Sequence, residues 1–188
     1  MSEPNIVENY LPYVSSLEHR SLEAIDLVVI HCTELPDLAS ARNYGQSIHY
    51  PESGTGNSGH YYIERTGRIE QWVPRRRVAH HVRGHNERSL GIELDNTGRF
   101  PDWFDSRKQI MTEAYTLPQI NKLLGLLLSL CTEMPNLNWI CGHESLDTSK
   151  VQASDNPNLL VHRKKDPGPM FPWMDLLHNI PLELLVNK

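Results

Sequence analysis

The chain has 188 residues, 39% hydrophobic and 22% charged, a globular rather than a disordered composition. Its formal charge of −5 argues against a general electrostatic grip on nucleic acid or an anionic membrane. Three cysteines without a C-x-x-C pair exclude a disulfide scaffold and an all-cysteine zinc site, whereas ten histidines supply imidazole donors in excess.

Residues 1–24 hold no apolar segment behind basic residues, so no signal peptide is read there; they form a peripheral arm that Leu11, Tyr13 and Val14 can dock. The run IDLVVIH (25–31) is apolar and β-branched, which predicts a buried central strand. A helix is expected within 34–50, ending near Gly45, followed by the Gly/Ser loop 51–59. Two strand-like runs around Thr66-Gly67 predict a hairpin over 60–73. SLGIELDN (89–96) predicts a further strand, and 97–116 a loop. From Leu117 to Glu133 the period is helical, with Leu117, Ile120, Leu123, Leu124, Leu127, Leu128 and Cys131 on one broad face. The longest apolar stretch, 123–131, falls far short of the ~20 residues that span a bilayer. NLNWICGH (136–143) predicts a strand, 144–172 irregular chain, and 171–180 a short final helix with Pro172 near its first turn. The irregular alternation predicts an α/β fold, a central mixed β-sheet flanked by α-helices. One domain is expected over 25–180, with an arm at 1–24 and a tail at 181–188.

Chemistry gathers at the ends of these strands. His31 closes one apolar run and His143 another, with Gly142 allowing a tight turn before it. Each alone fits a core or capping histidine equally well; together they suggest a site built across neighbouring strands. Asp166, in HRKKDPGP, is held extended by Pro167, although an ordinary Asp-Pro-Gly turn has the same sequence. Two histidines and a carboxylate leave one position of a tetrahedral zinc open, as catalytic sites do. Glu93 lies between Ile92 and Leu94. There it either faces solvent or is a desolvated carboxylate suited to general-base work. Lys164 stands two residues before Asp166, on the same side if the segment is extended, where it could stabilise an oxyanion; a solvated basic run is the plain alternative.

Six segments, HCTEL (31–35), HYYIERTGRIEQWV (60–73), AHHV (79–82), NERSLGIELDN (86–96), CGHESL (141–146) and KKDPGP (164–169), occur in the order of a known family. Together they resemble the N-acetylmuramoyl-L-alanine amidase type 2 family, over residues 25 to about 175. The resemblance implies a mixed sheet flanked by helices, shared with peptidoglycan recognition proteins. It implies one Zn2+ per chain bound by His31, His143 and Asp166, with Glu93 as general base and Lys164 stabilising the transition state. His81 matches a histidine motif and is expected to line the substrate cleft. Gly59 and Asp166 replace the tyrosine and the cysteine ligand of the family's phage-lysozyme branch. AHHV departs from the commoner Ala-Trp-His-Ala, which bears on saccharide contacts.

The implied reaction is hydrolysis of the amide between the lactyl group of N-acetylmuramic acid, or its anhydro form, and L-alanine of the stem peptide. The expected partners are peptidoglycan fragments or anhydro-muropeptides, with no nucleic acid, no membrane span and a monomeric chain. Without a visible signal peptide the expected place is cytoplasmic, in peptidoglycan recycling. A non-catalytic muropeptide-binding module of the same fold is the alternative. Arg75, Arg76, Arg77, Arg83 and Arg88 are the candidates for stem-peptide carboxylates.

Overall fold

A computed structural model describes residues 4–186. Its elements in chain order are β1 (Ile6–Glu8), β2 (Leu27–Cys32), α1 (Leu38–Gln46), β3 (Tyr61–Ile63), β4 (Ile69–Gln71), β5 (Ser89–Leu94), α2 (Leu117–Glu133), β6 (Trp139–Gly142), α3 (His143–Leu146), β7 (Lys150–Gln152), β8 (Leu160–His162), α4 (Trp173–Leu177) and β9 (Glu183–Leu184). Seven strands form one mixed sheet in the order β1-β4-β3-β5-β2-β6-β9, in which β3 and β4 pair antiparallel and the other neighbours pair parallel. The α/β architecture expected from the sequence is therefore the fold, with β2 central and fully buried.

Alternation along β2 explains its two faces. Val28 and Ile30 join the large core under α2, with Leu123, Leu126, Leu127 and Leu130. Leu27 and Val29 pack on the opposite side with Val82 and Cys141. His31 continues that second face, away from α2.

The helix expected over 117–133 has those bounds, started by a reciprocal capping box between Thr116 and Gln119. Its buried face is rotated from the expected one. Leu117 is 77% exposed, while Leu126 and Leu130 are buried. The cause is Gln119, whose buried amide donates to the Ile63 and Asp95 carbonyls. Leu117 stands two residues earlier, roughly 200° around the helix, and so faces out.

Other differences are local. The arm contributes edge strand β1, the tail contributes β9 beside β6, and the segment expected to be irregular holds the antiparallel pair β7–β8. None of the described helices is long and apolar enough to cross a membrane.

Candidate metal centre and active-site cleft

Strand register assembles the site. Parallel pairing sets His31 level with Glu93 and Ile30 level with Gly142, so His143 follows one step beyond, beside His31. The parallel strands β2, β5 and β6 thus end at one edge of the sheet, the usual place for a ligand in such folds. Asp166 arrives from the segment after β8. A Cβ on Gly142 would stand 2.7 Å from Pro167 Cδ, so glycine is what lets the two segments carrying His143 and Asp166 approach.

The donor atoms converge. His31 Nδ1 and His143 Nδ1 lie 3.0 and 3.1 Å from the same Asp166 Oδ2. The three side chains are buried, and each offers a donor atom within 4.8 Å of the other two. Asp166 Oδ1 is buried without a hydrogen-bond partner. Two imidazoles and a carboxylate around one point, with an unused carboxylate oxygen, suit a divalent cation and can hold one. Among the described residues no other group of three His, Cys, Asp or Glu side chains does this. Among the described residues His80, His81 and His85 make no such group, although His81 and His85 stand four residues apart.

Electrostatics divide the roles. Burial pushes His31 down to about 4, so its imidazole is neutral at neutral pH and ready to donate a lone pair. Burial would raise Asp166, but His143 and Lys164 outweigh it and hold the carboxylate well below its ordinary value. Glu93 is pushed up to about 8 by burial and by the Asp166 charge. Its Oε1 is 3.9 Å from His31 Nδ1, beside the converging donors. Burial works against the Lys164 ammonium, yet Asp166, Glu34 and Glu93 raise its pKa above the usual value. A raised carboxyl and a secured ammonium flank the metal-binding point, an arrangement able to shuttle a proton and to bind an oxyanion.

These groups line an open cleft of about 670 Å3, to which Tyr44, Tyr50, Trp103 and Phe104 add aromatic surface. His81 lines it too, and its two ring nitrogens already face His31 and Ser89. Of the five candidate arginines Arg83 lines the cleft, whereas Arg75 and Arg88 pair with Glu133 and Asp26. Sequence reasoning passed over Glu34 and Arg99, a buried ion pair at the cleft wall. Arg99 binds both Glu34 oxygens and donates to the carbonyls of His162 and Arg163, tying the β2 exit to the segment that carries Lys164. Glu34's positive φ of 48° at a non-glycine residue is its local signature, and no pattern in the letters HCTEL announces it.

The chain is 32% identical over 125 residues to the 1,6-anhydro-N-acetylmuramyl-L-alanine amidase AmpD of Citrobacter freundii. That match covers 62% of this chain and 53% of the relative, so the chain spans about half the length of the curated relative it matches. Among solved structures, the N-acetylmuramoyl-L-alanine amidase LysC of Clostridium intestinale URNW superposes with a TM-score of 0.66 at 20% identity, covering 96% of this chain and 99% of that one. The bumblebee PGRP-SA superposes at 0.64 and 17% identity, covering 97% and 98%. At those identities the likeness is one of fold. The sequence model of the N-acetylmuramoyl-L-alanine amidases matches residues 21–169, which contain every site residue described above, and the chain belongs to that family.

Proposed function

We propose that the protein is a zinc-dependent N-acetylmuramoyl-L-alanine amidase acting on peptidoglycan fragments. The observation that carries this reading is the convergence of His31, His143 and Asp166 on one point beside Glu93 and Lys164, at the floor of an open cleft. The residues fit zinc, and His31, His143 and Asp166 would hold it. A zinc ion so held supplies Lewis acidity, lowering the pKa of water and polarising the lactyl carbonyl.

The rest is done by the chain. Glu93 accepts a proton from the attacking water as the new carbon–oxygen bond forms at the lactyl carbonyl carbon. The Lys164 ammonium hydrogen-bonds the oxyanion that develops on the carbonyl oxygen. Glu93 returns the proton to the L-alanine nitrogen as the carbon–nitrogen bond breaks, leaving a free amine and a carboxylic acid that loses its remaining proton to solvent. His81 and Arg83, both at the cleft surface, are placed in this reading where substrate passes. Similarity to the Citrobacter freundii enzyme, whose name specifies the 1,6-anhydro sugar, supports an anhydro-muropeptide as substrate. A place in cytoplasmic peptidoglycan recycling is proposed together with that substrate.

The test is mass spectrometry of products from purified sacculi and from soluble anhydro-muropeptides, with and without chelator. The expected result is release of the stem peptide with a free L-alanine amine, faster from the soluble substrate and abolished by chelation. Binding of the muropeptide without amine release by the zinc-loaded protein contradicts an enzymatic role.

A further inference from the structure

From His31 a hydrogen-bond chain runs through His81 at the cleft wall to the buried Ser89. His31 Nε2 lies 3.0 Å from His81 Nδ1. His81 Nε2 lies 3.2 Å from Ser89 Oγ. Ser89 Oγ donates its single proton to the His85 carbonyl at 2.7 Å. That last bond fixes the direction of all the others. With its proton committed to His85, the Ser89 hydroxyl can only accept from His81, so His81 carries its proton on Nε2. His81 Nδ1 is then an acceptor and takes the Nε2 proton of His31. His31 is left with a bare lone pair on Nδ1, the atom that faces Asp166 Oδ2.

The surroundings hold this chain in place. Asn86 Oδ1 accepts from the backbone N–H groups of His81 and Val82, pinning the loop that carries the second imidazole. Ser89 is fully buried. Gly91 leaves the space for the ring, because a Cβ there would lie 2.6 Å from His81 Cγ and 2.7 Å from Nδ1.

We propose that His81 is a positioning residue that sets the tautomer and ring orientation of His31 for metal binding, with Ser89 directing it. The proposal rests on the zinc reading above. Partners of this kind behind a ligating histidine typically change metal affinity by on the order of 10–100-fold when removed. The neutral imidazole is an unusual choice of partner. It fixes the tautomer without adding a negative charge to a centre that already holds Asp166 and Glu93.

Zinc affinity of the full chain, read by competition with a chromogenic chelator, tests this on wild type, His81→Phe and His81→Asn. Asparagine can set its amide oxygen near the place of Nδ1 and accept the same proton. Expected is a loss of about 10–100-fold for His81→Phe, with His81→Asn within a few-fold of wild type. Equal affinity in wild type and a folded His81→Phe overturns the proposal, and so does an equal loss in both variants. Absence of zinc uptake by wild type is a different failure, that of the zinc reading itself. Nitrogen-15 imidazole spectra of the zinc-loaded wild type give a check that needs no variant. His31 and His81 should each carry a proton on Nε2, and a proton on His81 Nδ1 overturns the proposal.

Discussion

At the scale of single residues, Glu93 concentrates the chemistry. Its carboxyl rises from 4.5 to about 8 in the folded chain. Between those two values the folded state binds more protons than the unfolded state, so this group's contribution to stability falls as pH rises from 4.5 to 8. Glu93→Gln should therefore stabilise the metal-free protein, by on the order of 1–3 kcal/mol, with the difference growing between pH 5 and pH 8. Denaturant melts of chelator-treated wild type and variant measure this, and a pH-independent difference contradicts a strongly raised carboxyl. The same variant should keep its zinc and lose on the order of 10²–10⁴-fold in kcat, measured as amine release. The Glu34–Arg99 pair supplies a second residue-scale expectation. Arg99→Ala leaves a buried carboxylate without its partner and should cost ~3–5 kcal/mol in a urea melt. The ligand candidates were legible in the sequence for a physical reason. Each sits where an apolar strand stops or where proline stiffens the chain, and those are local signals. The Glu34–Arg99 pair and the His31–His81–Ser89 chain were not legible, because their bonds join residues 65, 50 and 8 positions apart with no periodicity to mark them.

Among the elements, α2 shows both the reach of pattern reading and its limit. The apolar period alone predicts its bounds, and the structure adds the local chemistry that starts it there, the Thr116–Gln119 capping box with Pro118 in the first turn. Its buried face differs from the expected one because every turn of the helix offers leucines, and a polar residue, Gln119, holds a core position. Leu126→Ala should cost ~2–5 kcal/mol, whereas Leu117→Ala, at an exposed site, should stay within about 0.5 kcal/mol. Thermal or chemical unfolding of the two variants decides the orientation, and similar costs contradict it. The pair β7–β8 leaves no sequence signal for a related reason. Leu160 is 62% exposed and only Val161 is buried, so a three-residue strand leaves no alternation to read.

In the whole molecule, the sheet order matters more than any element. Three parallel strands bring His31, Glu93 and His143 to one edge, and the return of the chain after β8 adds Lys164 and Asp166. The central claim is that these residues hold one catalytic zinc, and stoichiometric reconstitution tests it most directly. Chelator-stripped protein is titrated with zinc while amine release from an anhydro-muropeptide is followed. Activity should rise linearly and break at one zinc per chain, and Asp166→Ala should take up no zinc and stay inactive over the same range. Full turnover by the stripped protein, or a break at another stoichiometry, would contradict the account.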